Sequence, residues 1–331
     1  MKKSTICWLI IAAALVVVGG ALMGSAAMIG GATALSNFEW AQLSPAEYAE
    51  NTYEMSDDFQ RLHLTTETAN ILLKRADGEN CKVVCSETDK VFHSVSVADG
   101  TLTIDVVDTR KWYDRIGFFF DKQSVTVYLP GSAYDALIVE TDTGRVEIPD
   151  DFTFSSIRVN GDTGNVNCRA TVQDQMDITL STGDVILNGL SARSIRLATS
   201  TGDVTVDRVT CAENMEITVS TGRIKLTDVT AHTLTADSST GNIRLINVQA
   251  ESRLALESDT GDVTMNGCDA KDLKIRTNTG DVTATLLSSK MFTADSDTGR
   301  IILPPDGGEG RCAVNTDTGN IRIEVIPSTT P

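Results

Sequence analysis

From residue 137 onward, apolar and polar residues alternate in short runs, and the pattern restarts every 19 or 20 residues. A Thr-Gly pair marks each restart, with its glycine at Gly144, Gly164, Gly183, Gly202, Gly222, Gly241, Gly261, Gly280, Gly299 and Gly319. Two residues after each glycine stands Val or Ile, from Val146 to Ile321. Five before it stand Val139, Val159, Ile178, Leu197, Ile217, Ala236, Leu256, Ile275, Ala294 and Val314. Two more apolar columns lie seven before, from Leu137 to Cys312, and four after, from Ile148 to Ile323. Such period-two alternation, with Thr, Asp, Arg, Asn and Lys between the apolar positions, is the pattern of strands that bury one face.

A unit of this size cannot bury its own inner face, but stacked units can, each strand bonding to its equivalent one repeat away. The pattern therefore predicts an all-β fold, a parallel β-solenoid of about ten 19–20-residue coils over 137–326. Each coil has two short strands flanking an Asp/Ser/Asn-Thr-Gly corner, where glycine supplies φ > 0 or room for the neighbouring coil. The crossover rule implies a right-handed path. At ~4.8 Å per layer, ten coils make a rod on the order of 50 Å long. The residue after each glycine runs Arg145, Asn165, Asp184, Asp203, Arg223, Asn242, Asp262, Asp281, Arg300, Asn320, a four-coil cycle. Interspersed neutral or basic residues relieve the repulsion of stacked like charges; a block duplication of four coils leaves the same mark.

The segment before the repeats is different. Residues 39–58 are acidic and polar and read as a spacer. Residues 59–136 read as an N-terminal β cap with a degenerate first coil. With Ala69 in the glycine place, Leu62, Leu64, Ile71 and Leu73 fill the four apolar columns. Further strands are expected at 82–86, 91–97, 101–107 and 125–129, with Asp99-Gly100 as a hairpin turn. Between the last two lies an aromatic run that includes Trp112, Tyr113, Phe118, Phe119 and Phe120. After residue 137 the only aromatics are Phe152, Phe154 and Phe292. Aromatic density thus collects at the end that a solenoid must close against edge-to-edge pairing. An exposed loop that grips a partner or a membrane surface is the other reading of the run. Residues 327–331 form a tail.

Lys2 and Lys3 precede an uncharged stretch that is apolar or small from Ile6 to Ile29. About twenty such residues span a bilayer core, so residues 1–38 read as one transmembrane signal anchor. A secretory signal cut near Ala32-Thr33-Ala34 is the competing reading. The basic end stays in the cytoplasm, which puts the repeats outside the cell.

A net charge of −17 excludes a nucleic-acid binder held by phosphate contacts. Three His and seven Cys without a C-x-x-C pair carry no zinc signature. Cys81 and Cys85 on one strand would lie ~13 Å apart, too far for a disulfide. P-loop, G-x-G-x-x-G, H-E-x-x-H and G-x-S-x-G motifs are absent from the sequence. No catalytic residue and no cofactor is therefore assigned. Asp259, Asp262, Asp281 and Asp297 are the one candidate cation cluster, against the alternative of a solvated charged face.

The recurrent corner, as in Ser181-Thr182-Gly183-Asp184-Val185, resembles the bacterial β-strand-repeat family called domain of unknown function 4097, a putative adhesin family. The segments Leu102-Thr103-Ile104-Asp105-Val106, Lys111-Trp112-Tyr113 and Val125-Thr126-Val127-Tyr128-Leu129-Pro130 are similar to that family's N-terminal part. The resemblance spans roughly residues 51–326 and implies a β-solenoid at the bacterial cell surface, with no catalytic residues to carry over. The expected function is a non-enzymatic, membrane-anchored adhesin or rigid interaction scaffold. Its expected partners are the cytoplasmic membrane, through the N-terminal helix, and a protein or surface polymer, with oligomerisation left open. The alternatives are a self-assembling bactofilin-like protein, a surface sensor or regulator acting through the membrane helix, and a glycan-active enzyme. The scarcity of sugar-stacking aromatics argues against the last.

Overall fold

The computed structural model describes residues 48–110 and 123–326. The anchor expected over 1–38, the aromatic run at 112–120 and the tail at 327–331 lie outside the described residues. Among the described residues no helix is long and apolar enough to cross a membrane.

Among the described residues twenty-four strands join in one hydrogen-bonded sheet that winds as a parallel solenoid. Equivalent residues face each other coil after coil: Leu197 lies opposite Ile217, Ile217 opposite Ala236, Ala236 opposite Leu256, and Leu256 opposite Ile275. Outside the Gly299 coil, where Ile301 is exposed and Phe292, Ala294 and Leu303 are half-buried, the predicted columns form the core, and Val139, Ile178, Leu226, Leu245 and Val282 are fully buried. Burying a side chain of this size is worth about 1.5–3 kcal/mol, so a column repeated over ten coils is the main source of cohesion.

Five successive coils have a third buried run that the four columns did not show. Six residues after the corner glycine the chain turns again through positive φ, at Gly189, Arg208, Asp228, Asn247 and Gly267. The residues just beyond, Leu190, Val209, Val229, Val248 and Cys268, point inward, followed two positions later by Ala192, Cys211, Ala231, Ala250 and Ala270. Near one end, Phe59, Tyr134, Phe152 and Phe154 stack with centroids 5.9–6.4 Å apart. Two of the three late aromatics are therefore core residues.

The order of layers departs from chain order at both ends. The strand Gly310–Thr318 lies between residues 272–279 and the strand Lys290–Thr298. Likewise Ile321–Val325 lies between Val282–Leu286 and Ile301–Ile302. The Gly319 coil is thus inserted beneath the Gly299 coil, which is outermost. At the other end Arg61–Thr66 lies between Thr101–Asp108 and Ala133–Thr143, with Leu62 opposite both Leu102 and Leu137. Asn70–Arg75 is placed in the same way between Ser124–Leu129 and Val146–Ile148. At these two places the expectation that each coil sits on its sequence neighbour is corrected. Asn320 supplies part of the reason. Its Oδ1 accepts the Arg300 N–H (3.0 Å), while its own N–H donates to Asp281 Oδ1 (2.7 Å). In chain order Arg300 would lie beneath Asn320 and offer its N–H no acceptor.

Outside this N-terminal layer the pairing turns antiparallel. Cys81–Glu87 pairs with Ser124–Leu129 and with Ala49–Met55, and Val91–Ala98 pairs with Thr101–Asp108. Residues 49–55 are a strand where a spacer was expected. Glu50 and Glu54 face solvent, while Asn51 and Tyr53 bond to Glu87 on the opposite strand, so its acidic composition marks only the outer face.

Candidate functional sites along the solenoid

The corner glycines stack so closely that side chains are excluded. A Cβ on Gly183 would stand 1.8 Å from the carbonyl oxygen of Gly164, and one on Gly241 1.9 Å from that of Gly222. Ala69 occupies the same column, 2.1 Å from a Cβ placed on Gly144. Each corner is tied to the next by a backbone bond from Gly N–H to the neighbouring Thr carbonyl, as from Gly202 to Thr221 (2.9 Å). Three residues before the corner a buried hydroxyl adds a second tie. Thr199 donates to the Gly183 carbonyl, Thr277 to Gly261 and Thr316 to Gly280, at 3.1–3.2 Å. The recurrence of Ser or Thr three before Gly was the available signal for this column, and its polarity disguised an inward position. Thr277→Val keeps the shape and removes the donor; it is expected to cost about 1 kcal/mol, read as a shift in the urea midpoint.

The column after glycine is a ladder of acceptors. Asn165 Oδ1 accepts the N–H of Asp184, Asp184 that of Asp203, and Asp203 that of Arg223, at 2.8–2.9 Å. A second run leads from Asn242 through Asp262 and Asp281 to Asn320 and Arg300. Arg cannot accept, so it stands only where a run stops. At Arg223 it folds back to grip Asp203 Oδ2 at 2.6 and 3.1 Å. The Arg223 hydrogen bond holds the Asp203 carboxyl below its ordinary range, against an opposing push from partial burial. That contribution to stability is present above the ordinary carboxylate pKa and is lost as pH falls through the lower folded value. Asp203→Asn should keep the ladder bond and remove this acid sensitivity. Asp203→Ala should lose both and cost about 1 kcal/mol at neutral pH. Urea titrations at pH 7 and pH 3.5 separate the two variants.

Of the four cation candidates, Asp262 and Asp281 are therefore ladder acceptors, and Asp259 accepts from Asn278 Nδ2 (3.0 Å). Asp297 belongs to the outermost coil, three layers or ~14 Å beyond Asp259. All four are exposed, and the structure does not gather them into one coordination sphere. Trp112, Tyr113, Phe118, Phe119 and Phe120 lie outside the described residues.

The third face carries an open groove of about 790 Å³. Its floor is the small-residue column Cys211, Ala231, Ala250 and Ala270, ending at Lys290, with His232 and Glu251 (3.1 Å apart) at the rim. The ammonium of Lys290 is buried and bonds to Asp269 (2.5 Å) and Ser288 (3.0 Å). Gly310, the residue paired with Lys290, leaves space for that reach.

Near the antiparallel strands, alternation along Cys81–Glu87 turns Cys81, Val83, Cys85 and Glu87 inward. The Glu87 carboxylate, 1% exposed, accepts from Asn51 Nδ2 (2.5 Å), the Tyr53 hydroxyl (3.2 Å) and the His93 N–H (2.7 Å). It lies 3.1 Å from His93 Nδ1, while His93 Nε2 is buried with no hydrogen-bond partner. Cys85 Sγ, a Glu87 oxygen and a His93 ring nitrogen lie within 4.8 Å of one another, the only trio of metal-ligating side chains this close among the described residues. Burial, with Glu87 adding to it, pushes the Cys85 thiol up to about 12. Burial lowers the His93 pKa against the opposing pull of Glu87. Sequence motifs missed this trio because its members come from two strands. The available signal was two inward positions, Cys85 and Glu87, just before a tight turn, with His93 inward just after it.

The profile of the family described as Toastrack DUF4097 matches residues 59–227 and 208–330. Similar solved structures include a putative adhesin from Parabacteroides distasonis ATCC 8503, 13% identical, with 85% of this chain and 99% of that chain covered and a TM-score of 0.48. Another is a putative adhesin from Bacteroides fragilis NCTC 9343, 13% identical over 85% of this chain and 99% of that chain, TM-score 0.40. A third is a putative lipid binding protein from Parabacteroides distasonis ATCC 8503, 17% identical over 86% and 99%, TM-score 0.43. No curated protein matches the chain.

Proposed function

The chain belongs to the Toastrack DUF4097 family, and from that premise we propose that it is a non-enzymatic surface scaffold, a stiff β-solenoid that presents an adhesive flank. The observation that carries the reading is the use made of the polar columns. Corner carboxylates, hydroxyls and amides along the stack serve coil-to-coil bonds, as in the run from Asn165 to Arg223. The groove on the third face is shallow and floored by alanine rather than by converging acids and bases. Such a body suits presentation of an extended surface better than turnover of a substrate.

In this reading residues 1–38 anchor the chain in the cytoplasmic membrane with the lysines inside, and the solenoid stands outside. The antiparallel strands Ala49–Met55, Cys81–Glu87 and Val91–Ala98 act as its cap, closing an edge that would otherwise template pairing with another chain. Protease treatment of intact cells is expected to release a fragment whose N-terminus lies between residue 39 and the strand Ala49–Met55. Full protection of the chain in intact cells, with digestion only after lysis, would place the repeats inside and overturn the reading. Release without protease of a chain beginning near Ser36 would overturn the anchor alone.

One observation favours end-to-end association as a second reading. The outermost Gly299 coil leaves Met291 59% and Ile302 44% exposed. The capped end offers no matching edge, so this reading predicts pairs joined at like ends rather than bactofilin-like filaments. Electron microscopy of the purified protein distinguishes single rods, double-length rods and filaments.

A further inference from the structure

We propose that Cys85, Glu87 and His93 form a binding site for a zinc ion. This inference stands apart from the scaffold reading and needs no position relative to a membrane. The three side chains are buried, and their ligand atoms already lie within 4.8 Å of one another. Zinc bonds of about 2.0–2.3 Å in tetrahedral geometry require ligand atoms roughly 3.3–3.8 Å apart. No pair in the trio must therefore contract by more than about 1.5 Å. The strands that carry the site have the freedom to do this. Among the described residues Val91–Ala98, with His93, is paired along one side only, to Thr101–Asp108, and Ala49–Met55 only to Cys81–Glu87. Opening of either edge also gives an ion its way in.

The chemistry of the set selects the ion. A thiol, an imidazole and one carboxylate are the mixed sulfur, nitrogen and oxygen donors of zinc rather than the all-oxygen shell of calcium or magnesium. His93 Nδ1 lies 3.1 Å from a Glu87 oxygen, close to the spacing of two ligands on one zinc, and Nε2 is buried without a hydrogen-bond partner. Glu87 is oriented from outside the trio by Asn51 and by the Tyr53 hydroxyl, as ligating carboxylates are. A dication also reverses the local proton balance. The Cys85 thiol loses its proton on coordination, and zinc binding releases that proton to solvent. Three protein ligands leave the fourth tetrahedral position to water or another ligand.

The test uses the full chain, purified in detergent, stripped with chelator and titrated with cobalt(II) as the spectroscopic substitute for zinc. Expected are tetrahedral cobalt bands in the visible with a thiolate charge-transfer band in the near ultraviolet, saturating at one ion per chain and displaced by zinc. Cys85→Ser should lose the thiolate band, and His93→Gln should weaken zinc binding on the order of 100-fold. Tyr53→Phe, which touches no metal, should weaken it about tenfold through Glu87. A folded wild-type chain that gives no thiolate band carries only a hydrogen-bonded polar cluster, and the proposal fails. It fails equally when the band persists unchanged in Cys85→Ser. Should that variant not fold, judged by circular dichroism, His93→Gln decides: unchanged zinc affinity overturns the site and the expected weakening supports it.

Discussion

Gly222→Ala is expected to destabilise the protein by at least about 4 kcal/mol, far beyond the ordinary cost of a surface substitution. The added Cβ would stand 2.0 Å from the carbonyl oxygen of Gly202, and the backbone at Gly222 has φ +147, where L-residues are strained. Neither coil can yield alone, because Gly202 N–H is bonded to Thr221 and Gly222 N–H to Thr240. The control is Gly189→Ala. Gly189 also has positive φ (+66), but a Cβ there meets nothing within 4 Å, so only the backbone preference of about 1–2 kcal/mol is lost. In a stack where each coil touches only its neighbours, the clash should also divide cooperativity. Urea unfolding of Gly222→Ala is expected to be broadened or biphasic, and that of Gly189→Ala single and slightly shifted. Matching midpoints for the two variants would mean that the close approach of backbones does not hold the corners.

Removing the final coil is the second large effect, and its consequence is indirect. A chain ending at Leu303 lacks Gly310–Thr318 and Ile321–Val325. Among the described residues those are the only sheet partners of Lys290–Thr298 and Ile301–Ile302. The 290–302 segment is still present but is expected to lose its hydrogen-exchange protection. Docking it directly on the Gly280 coil would bring Lys290 onto the layer of Lys271, where Gly310 now lies, and like charges on adjacent strands repel. It would also set Phe292 against Leu273, where the intact chain places Cys312. The shorter chain ending at Ser288 is expected to end cleanly at the Gly280 coil. Deleting more should therefore leave a better-ordered protein than deleting less. Equal protection of 290–302 with and without the last coil would refute the inserted order.

The solenoid, its corner column and four of its buried columns were legible because alternation and a fixed period report which side chains turn inward. They do not report which coil lies next to which. Layer order depends on single pairings, such as Asn320 between Asp281 and Arg300, and on the room that Gly310 leaves for Lys290. The third face was hidden by its own chemistry. Alanine at 231, 250 and 270 is too small to stand out as a hydrophobic column, and the turn before it uses Gly, Arg, Asp or Asn with equal ease. The strand at 49–55 was masked by outward-facing acids. The Cys85, Glu87 and His93 trio needed three dimensions, since its ligands come from two strands joined by a turn.

The inserted coils set an order of events at the ribosome. Residues 290–302 emerge before 310–325 but belong outside them, so this part of the rod has no correct seat until those later residues have been made. Vectorial winding, coil upon coil as synthesis proceeds, can therefore account for the middle of the stack but not for its last two layers. Those layers must form out of chain order, the later segment taking the inner place and the earlier one closing over it like a clasp.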